Sequence, residues 1–317
     1  MTSTIRSALV LGAKGFVGRH VCRALADSGI SVTGLGHGQW EGDDLAAWGL
    51  SHWVEGEIDL PTLESLKLDA FPDVLIHCGG SGAVSFSYAN PLDDFHRSVD
   101  STVAVLEWVR KSGSASSRVV AVSSAAVYGD QGDVDLTEMA TRSPVSPYGF
   151  HKLAAESLCD SYSRFFGIKV SIVRLFSVFG EGLRKQLLWD ALNKFERGQF
   201  QFFGTGNELR DWIHVDDAAR LLCAAACAPQ ADFEVYNGGN EHADIRDVLS
   251  RLAAACGTGH VPEFNGQTHT GNPRRLTSNC GHARRQLGWQ PGVSLTDGLS
   301  RYAAWFRQDS PSDVVPA

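Results

Sequence analysis

The sequence predicts an α/β fold with a parallel β-sheet, and three observations support this prediction. Short apolar segments alternate with segments of helical periodicity through the first half of the chain. A glycine-rich turn joins the first apolar segment to the first helical one, and the segment at 118–123 is mostly apolar. Such apolar runs are typical of strands buried between two layers of helices, and the alternation indicates βαβ units.

The positions of these elements follow from the spacing of the apolar residues. Strands are predicted at 7–11, 30–35, 53–58, 74–78, 118–123 and 169–175. Long helices are predicted at 16–27, 95–111 and 148–166, and later helices at 186–197, 216–227, 244–255 and 295–307. The alternation of strand-like and helix-like segments ends after residue 176. This change divides the chain into 1–176 and 177–308, and a flexible tail is predicted at 309–317. Because no low-complexity linker separates the two parts, we expect the second to pack against the first and to return some segments to it.

The composition excludes several classes of protein. The 317 residues include 28 Lys and Arg against 36 Asp and Glu, a net charge of −8, which argues against nucleic acid as a partner. No apolar run approaches the about 20 residues of a membrane-spanning helix, so no membrane partner is expected. Cys223 and Cys227 lie one helical turn apart and are better explained as buried apolar residues than as metal ligands. Reduced thiols and the lack of an export signal predict a cytoplasmic protein without a bound metal.

Glycine is unusually frequent, with 33 residues, and three of these glycines form a motif that predicts a nucleotide site. Gly12, Gly15 and Gly18 follow the first strand. The first helix begins at Phe16, with Val17 as its second residue. Glycines here allow a tight turn, bring backbone N–H groups close to a pyrophosphate and let the helix pack closely on the sheet. The spacing is GxxGxxG, and its position between a strand and a helix favours dinucleotide binding over a plain strand–helix turn.

The end of the second strand bears on the choice of dinucleotide. NAD-preferring sites place an acidic residue there to bind the ribose 2′-hydroxyl, whereas this sequence has Gly36 followed by His37. Since no carboxylate at Gly36 would repel a 2′-phosphate, the sequence favours NADP, with NAD as the alternative. His37 is either a contact to that phosphate or an ordinary loop residue, and the segment contains no Arg or Lys.

Two further segments are expected to contact the cofactor. Glu57 and Ile58 follow the third strand, where an acid can meet the adenine edge. Cys78, Gly79 and Gly80 follow the fourth strand, where glycines let the backbone approach the cofactor from the other side.

A serine, a tyrosine and a lysine form the predicted catalytic group. Ser124 ends the apolar strand, and Tyr148 and Lys152, four residues apart in SPYGFHK, lie on one face of the following helix. A phenol has a pKa of about 10, but a nearby ammonium and an oxidised nicotinamide both favour the phenolate. We therefore expect Tyr148 to transfer a proton, Lys152 to hold the nicotinamide ribose and Ser124 to bind the reacting substrate oxygen.

Motifs along nearly the whole chain resemble those of the extended short-chain dehydrogenase/reductase superfamily, in particular its nucleotide-sugar epimerases, reductases and dehydratases. They read GAKGFVG, SSAAVYGD, PYGFHK, RLFSVFGEG, RDWIHVDD and NPRRLTSN. The resemblance implies a Rossmann-type doubly wound parallel sheet, formed by 1–176 and carrying the catalytic triad, with a smaller C-terminal substrate-binding lobe at 177–308. It also implies a nucleotide-sugar substrate and a homodimer in which the helices at 95–111 and 148–166 pair into a four-helix bundle.

The same resemblance implies a set of substrate-binding residues. Arg210 matches an arginine that binds the substrate diphosphate, and a salt bridge to a nearby aspartate is the alternative. Arg274 and Arg275 resemble a second diphosphate contact or form an ordinary surface pair. Arg184 and Lys185 either approach the sugar or nucleotide or are solvated charges at the start of a helix, and Ser177 stands where relatives carry an asparagine that contacts the diphosphate.

Departures from the family pattern make some of the reactions of this family less expected for this chain. Ala125 and Ala126 stand where sugar dehydratases carry an Asp-Glu pair, so 4,6-dehydration is not expected. Ser98 stands where many relatives carry asparagine. Serine keeps a hydrogen-bonding group at such positions but shortens its reach.

Three functions remain open from the sequence. The first is the reduction of a 4-keto-6-deoxy nucleotide sugar, in which a nicotinamide delivers hydride as Tyr148 donates a proton, and the missing acid at the second strand favours it. The alternative is a 4-epimerase, in which tightly held NAD takes and returns a hydride on opposite faces of a UDP-linked sugar. The third is a non-catalytic regulator that senses a cofactor, against which the intact triad argues.

Overall fold

The computed structural model describes residues 5–114, 117–228, 231–268 and 273–309. Its strands are β1 (Ser7–Leu11), β2 (Ser31–Gly36), β3 (His52–Glu55), β4 (Val74–His77), β5 (Arg118–Ser124), β6 (Asp135–Leu136), β7 (Lys169–Leu175), β8 (Ser177–Phe179), β9 (Gln201–Phe202), β10 (Leu209–His214), β11 (Phe233–Gly238), β12 (Glu241–Asp244), β13 (Glu263–Phe264) and β14 (Arg275–Ser278). Its helices are α1 (Phe16–Asp27), α2 (Asp44–Ala47), α3 (Leu60–Ser65), α4 (Val84–Ala89), α5 (Pro91–Phe95), α6 (Ser101–Ser112), α7 (Pro147–Phe166), α8 (Gln186–Glu196), α9 (Val215–Cys227), α10 (Ile245–Cys256), α11 (Gly281–Leu287) and α12 (Leu295–Asp309). The tail predicted at 309–317 lies, from residue 310 onward, outside the described residues.

Seven parallel strands form the central sheet, in the order β3–β2–β1–β4–β5–β7–β11. The order runs outward in both directions from β1 and β4, which is the doubly wound arrangement predicted from the sequence. Ligands of such sheets bind beyond the carboxyl ends of the strands at the point where the order reverses. The expected site therefore lies at the ends of β1 and β4.

A second, mixed sheet forms beside the first, mainly from residues after 176. Its strands run β12–β10–β14–β6, with β8 paired to β10, and β12 is antiparallel to β10. In contrast, β11 completes the central sheet beside β7. The division of the chain into 1–176 and 177–308 remains a proposal, with β11 as a segment that returns to the first part.

Helices cover both faces of the central sheet. On one face α1 and α9 pack against the strands through apolar side chains such as Val21 and Leu222. On the other face α6 and α7 contribute Leu106 and Cys159 to a separate cluster. Burial on both faces explains why these strands read as apolar runs rather than as alternating ones. A third cluster fills the second lobe between α8, α10 and α12.

The predicted helix at 95–111 is interrupted. Between α5 and α6 the backbone makes a π-helical turn at His96–Asp100. At this turn the Ser101 hydroxyl donates to the Arg97 carbonyl at 2.6 Å, and the Thr102 hydroxyl donates to the Ser98 carbonyl at 2.6 Å. Side-chain hydroxyls that donate to carbonyls four residues earlier compete with the backbone N–H groups of the helix. π-Helical turns are found where the regular helical hydrogen bonds are disturbed in this way.

Two kinds of feature are absent from the described ranges. No helix in them is long and apolar enough to cross a membrane. The same ranges contain no group of three or more His, Cys, Asp or Glu side chains placed to hold a metal ion.

A buried ion pair joins α7 to the central sheet. Arg174 of β7 is 2 % exposed and Glu156 of α7 is 3 % exposed. The Arg174 Nε donates to Glu156 Oε1 at 2.9 Å, and its Nη2 donates to Oε2 at 2.7 Å. The Ser123 hydroxyl also donates to Oε1, at 2.6 Å. Because both charges are paired and bonded, the interior tolerates them.

Glu156→Gln is expected to lower the free energy of unfolding by about 3–5 kcal/mol, because it leaves the Arg174 guanidinium buried without its counter-charge. Denaturant unfolding followed by circular dichroism measures the loss. The control is Asp160→Asn, whose carboxylate pairs with exposed Arg164 on the same helix and contributes about 0–1 kcal/mol. Equal losses in the two variants would contradict the role assigned to the buried pair.

Candidate active site

A cavity of about 620 Å³ lies between the carboxyl ends of the central strands and the second sheet. Segments that follow β1, β4 and β5 line one side, and β8, β10 and β14 line the other. The predicted site residues that line it are Gly15, Phe16, Val17, Gly18, Cys78, Gly79, Gly80, Ser124, Tyr148, Lys152, Ser177 and Arg210. Residues predicted separately for cofactor, catalysis and substrate therefore meet in one place.

The glycine turn has the close backbone contacts that a bound pyrophosphate requires. Gly12 has a φ of +77°, and its N–H donates to the Leu35 carbonyl at 2.7 Å, which ties the turn to the end of β2. A Cβ at Gly18 would overlap the Gly12 carbonyl. Helix α1 begins after Gly15 with no side-chain cap and no acidic residue in its first turn. Its first N–H groups and the positive end of its dipole therefore suit a phosphate.

Tyr148 is held by the first turn of α7. The Ser146 side chain caps this helix by accepting from the Gly149 N–H at 3.2 Å, and the Tyr148 N–H donates to Ser87 Oγ at 3.0 Å. Burial raises the pKa of Tyr148 to about 12, against the lowering effect of a hydrogen bond with Ser124. The neutral phenol is therefore the resting form without cofactor, and its oxygen lies beside Ser124.

Lys152 lies one helical turn farther along α7. Its Nζ donates to the Val122 carbonyl of β5 at 3.0 Å and lies 5.9 Å from the centre of the Tyr148 ring. Burial lowers the pKa of Lys152, and the negative charge of Asp94 raises it. A Cβ at Gly80 would stand 3.2 Å from Nζ, and Gly80 has a φ of +133°, so glycine is required there. The backbone after β4 thereby approaches the catalytic lysine closely.

A buried carboxylate beside this group escapes sequence reasoning. Asp94 of α5 is fully buried, bonds to the Ser81 hydroxyl and pairs with His151 Nδ1 at 2.5 Å. Burial raises the pKa of Tyr148 and the charge of Asp94 adds to this rise, whereas burial lowers the pKa of Lys152 and the same charge opposes that fall. Asp94 therefore connects the segment after β4 to the catalytic helix and adjusts the charge balance of the catalytic pair.

A buried hydroxyl without a partner lies close to Gly80, which lines the cavity. Ser98 is 2 % exposed, and among the described residues its Oγ has no hydrogen-bond partner. This oxygen lies 3.6 Å from the position that a Cβ on Gly80 would occupy, close to Lys152, and Cys78 and Gly79 complete the wall. A buried hydroxyl of this kind is normally satisfied by water or a ligand. The residues present therefore fit the ribose of a nicotinamide nucleotide.

The residues predicted for the adenosine end form a rim outside the cavity. Gly36 ends β2, and a Cβ there would stand 3.3 Å from the Trp53 ring. His37 and Glu57 pair with each other, with Nε2 and Oε2 3.2 Å apart, and both side chains are mostly exposed. Ile58 contacts the glycine segment after β4. This rim lies beyond the ends of β2 and β3, where the adenosine is expected.

Two of the predicted substrate residues line the cavity from the second sheet. Ser177 lies on β8 and Arg210 lies on β10, which pairs with β8 in parallel. The Arg210 Nη1 donates to the Leu209 carbonyl at 2.8 Å. Burial lowers the pKa of Arg210, and the nearby charge of Glu208 raises it. A planar guanidinium in the cavity wall suits the oxygens of a diphosphate.

Arg274 and Arg275 do not line the cavity. Arg274 is 73 % exposed and pairs with Asp133. The Arg275 Nη2 donates to Asp135 at 2.6 Å. Both arginines form ion pairs with aspartates in or next to β6. This placement corresponds to the alternative given for them from the sequence, an ordinary pair outside the substrate site.

Arg184 also lies outside the cavity, whereas the adjacent Lys185 lines it. The Arg184 side chain is exposed, with its guanidinium 5.7 Å from the centre of the Trp305 ring. Lys185 lines the cavity instead, and its Nζ donates to the Ser81 carbonyl at 3.0 Å. Of the two basic residues that precede α8, only Lys185 therefore lines the cavity.

Relatives of this chain act on UDP-linked sugars. The chain matches the model of the NAD dependent epimerase/dehydratase family over residues 8–239. It is 30% identical over 325 residues to the UDP-glucose 4-epimerase of Azospirillum brasilense, covering 94% of this chain and 91% of the relative. It is 26% identical over 315 residues to the UDP-glucuronate 4-epimerase of Thermodesulfobacterium geofontis, covering 95% and 96%.

Solved structures share the architecture. The UDP-glucuronic acid 4-epimerase from Bacillus cereus, in complex with UDP-glucuronic acid and NAD, matches with a TM-score of 0.83 at 26% identity, covering 96% of this chain and 100% of that one. A double mutant of the dTDP-glucose 4,6-dehydratase from Streptomyces venezuelae, with NAD bound, matches with a TM-score of 0.85 at 26% identity, covering 95% and 97%. The chain belongs to the NAD-dependent epimerase/dehydratase family of extended short-chain dehydrogenases/reductases, and it is an enzyme of that type.

Proposed function

We propose that the protein is an NAD-dependent 4-epimerase of a UDP-linked sugar. The observation that carries the oxidation and reduction chemistry is the convergence of Ser124, Tyr148 and Lys152 in the cavity between the central strands and the second sheet. Similarity to two UDP-sugar 4-epimerases over 94–95% of the chain supports the substrate class. These relatives favour epimerisation over the reduction of a 4-keto sugar, which the sequence alone placed first.

NAD(H) is the cofactor that we assign to the cavity. The two solved relatives described above hold NAD, so they do not support the preference for NADP expected from the sequence. When bound, NAD accepts a hydride from the sugar carbon and returns it. The glycine turn would hold its pyrophosphate, and Lys152 and the Ser98 hydroxyl would hold its nicotinamide ribose.

Tyr148 and Ser124 carry the proton chemistry at the sugar oxygen. Oxidation of a hydroxyl releases a proton, which the ionised Tyr148 oxygen takes, and the neutral phenol returns it when the carbonyl is reduced. The positive charge of Lys152 favours the phenolate and so opposes the effect of burial. Ser124 donates a hydrogen bond to the same substrate oxygen and orients it. The same three side chains serve both directions.

The wall next to Ser124 argues against dehydration. Ala125 and Ala126 line the cavity at the two positions that follow it. Loss of water from a sugar needs an acid and a base close to the carbons involved. Methyl groups supply neither, so a 4-keto sugar formed here is expected to be reduced again.

Arg210 and Lys185 supply positive charge to the substrate half of the cavity. Arg210 lies on β10 and Lys185 precedes α8, and both residues line the cavity. We propose that Arg210 binds the diphosphate through two parallel N–H···O hydrogen bonds, and that the short side chain of Ser177 makes a neighbouring contact. This arrangement fixes the nucleotide on the second sheet while the chemistry takes place on the first.

The purified protein is expected to interconvert the 4-epimers of UDP-glucose or of UDP-glucuronate without net use of NADH or NADPH. Tyr148→Phe is expected to lower kcat by about 10²–10⁴-fold, because it removes the proton carrier and leaves the ring in place. Nuclear magnetic resonance of the sugar mixture measures the rate. Tyr162→Phe is the matched control, since its hydroxyl bonds to Glu107 away from the cavity and activity should be kept. Stoichiometric oxidation of NADPH by a 4-keto nucleotide sugar, without interconversion, would establish a reductase instead.

Asp94→Asn is expected to lower the pKa of Tyr148, because it removes the negative charge that raises this pKa. The phenolate then forms at lower pH, and the acidic limb of the kcat/KM profile moves to lower pH. Tyrosinate absorbance measures the ionisation without turnover, as the difference from the same protein carrying Tyr148→Phe. Asp160→Asn, on the exposed side of α7, keeps the original titration. A shift toward higher pH in Asp94→Asn would show that its charge does not act on Tyr148.

We also propose that two copies of the chain associate through α5 and α7. Leu92, Phe95 and Phe150 are large apolar side chains on these helices, and they are 65%, 36% and 59% exposed. The helices are neighbours, since the Phe95 and His151 rings lie 5.6 Å apart. Neighbouring exposed apolar side chains of this size are typical of a surface covered by a partner.

Sedimentation equilibrium is expected to give the mass of two chains for the unaltered protein. Leu92→Asp combined with Phe150→Asp is expected to give a single chain, because a charge in a buried apolar interface loses its hydration. Val261→Asp, at another exposed apolar position, is the control and should leave the dimer intact. A single chain for the unaltered protein at micromolar concentration would remove this proposal.

The cytoplasm is the compartment that we propose for the enzyme. The seven cysteines are all free thiols in the structure, and three of them are fully buried. A reducing compartment keeps thiols in this form.

A further inference from the structure

A buried histidine of α1 bonds to two segments of the C-terminal part of the chain. His20 is 6 % exposed and lies one helical turn after Phe16, which lines the cavity. Its Nδ1 lies 2.8 Å from Asp216 Oδ1 at the start of α9, and its Nε2 lies 3.0 Å from the Glu181 carbonyl oxygen after β8. The rings of Phe16 and Trp48 also meet the imidazole, with centres 6.0 and 5.0 Å away, and bring no charge.

The hydrogen bonds of His20 require both of its ring nitrogens to carry hydrogen. A carboxylate oxygen and a carbonyl oxygen both accept, so each nitrogen must donate. A neutral imidazole has only one N–H, whereas an imidazolium has two. The nearby His214 is different, because its Nδ1 accepts from the Asp216 N–H at 3.2 Å and its Nε2 donates to Glu181 Oε2 at 2.9 Å. These contacts assign a positive charge to His20 and the neutral form to His214.

Two carboxylates and one arginine complete the charges around His20. Arg301 of α12 donates to Glu181 Oε1 at 2.8 Å and to Asp216 Oδ2 at 2.7 Å. Burial raises the pKa of Asp216, but the hydrogen bonds from His20 and Arg301 outweigh burial and hold that pKa below its usual value. Burial also raises the pKa of Glu181, and hydrogen bonds from His214 and Arg301 help to bring it down to about 2. With His20 charged, two positive and two negative side chains balance one another.

The bond from His20 to Glu181 connects the two sides of the cavity. Phe179 at the end of β8 and Leu183 both line the cavity, and Glu181 lies between them in the chain. On the other side of the bond, α1 begins at Phe16 with the N–H groups assigned above to the pyrophosphate. His20 therefore joins the helix expected to hold the cofactor to the wall expected to hold the substrate.

We propose that protonated His20 is a positioning residue, which holds α1 against the wall of the substrate half of the cavity. When His20 loses its proton, one of its two nitrogens faces an acceptor oxygen without a hydrogen, and that bond is lost. The contact between α1 and this wall therefore weakens as the pH rises, and binding of the substrate nucleotide weakens with it. The ligand positions rest on the function proposed above, whereas the charge of His20 does not.

Nitrogen-15 nuclear magnetic resonance of the full chain, labelled in its histidines, tests the charge directly. At about pH 7 the resonance that His20→Gln removes is expected to show two N–H groups, as in an imidazolium. The control His282→Gln removes another histidine that pairs with an acid, 3.0 Å from Glu234, and should leave this resonance in place. A neutral His20 at this pH would overturn the proposal.

Denaturant unfolding at several pH values tests what the charge does. A histidine exposed in the unfolded chain has a pKa of about 6.5, so stabilisation by charged His20 is complete below that pH and is lost as the pH rises. At about pH 6 the unfolding equilibrium constant of His20→Gln is expected to exceed that of the unaltered protein about tenfold, and the excess should shrink toward about pH 9. A ratio that stays constant with pH would contradict the role of the charge.

Asp216→Asn covers the case in which His20→Gln does not fold. An asparagine amide can donate to His20 Nδ1, so a neutral imidazole keeps both of its bonds in this variant. Its unfolding equilibrium constant is expected to change less with pH than that of the unaltered protein. If Asp216→Asn keeps the full pH dependence, that dependence does not come from His20 and the proposal fails.

Isothermal titration calorimetry with UDP, in the presence of NAD, connects the charge to the cavity. The unaltered protein is expected to bind UDP several-fold more tightly than His20→Gln at acidic pH, and this ratio should approach one at alkaline pH. Taking the ratio cancels the titration of UDP itself. A ratio that does not change with pH would overturn the positioning role and leave the proposed function standing. Because the first two measurements use no ligand, a protein that fails as an epimerase still tests the charge of His20.

Discussion

The contact between the Gly12 carbonyl and Gly18 determines how closely α1 approaches the end of β1, and the cofactor half of the molecule depends on it. Any side chain at Gly18 would overlap that carbonyl and push the helix away. The same turn is held to β2 by the hydrogen bond from the Gly12 N–H to Leu35. As a result, the first N–H groups of α1 and the end of β2 lie at one corner. One tight turn thus decides where a pyrophosphate binds.

The catalytic half depends on a second constraint, the pairing of buried charge. Lys152 is buried beside Tyr148, and the carboxylates of Asp94 and Glu156 both raise its pKa against burial. Glu156 already has Arg174 as its partner, so its charge is largely neutralised. Asp94 faces a histidine and a hydroxyl instead, and it therefore remains the carboxylate that acts most directly on the catalytic pair. We therefore assign the two acids separate roles, Glu156 in stability and Asp94 in the proposed chemistry.

Sequence reasoning succeeds where a local pattern carries the information. Six of the seven strands of the central sheet, the glycine turn and the Ser124, Tyr148 and Lys152 group are each visible within a few neighbouring residues, whereas β11 is not predicted. It does not find the bond from His20 to the Glu181 carbonyl or the pair of Asp94 and His151, because each joins segments that only the fold brings together. The helices α2, α3, α4 and α11 are also missed, since they are too short for a helical period to appear.

The catalytic triad serves an epimerase and a reductase equally, so the distinction must come from elsewhere in the cavity. Epimerisation returns the hydride to the opposite face of the sugar at C4. The 4-keto sugar must therefore rotate within the cavity while its nucleotide stays bound. Arg210 offers a fixed point on the second sheet, and the cavity wall also includes the apolar side chains of Val84, Leu187 and Phe203. Apolar walls supply no directional bonds that would hold one face of the sugar. A reductase needs its substrate in one orientation only, whereas apolar side chains beside the sugar suit the rotation that the proposed epimerase requires.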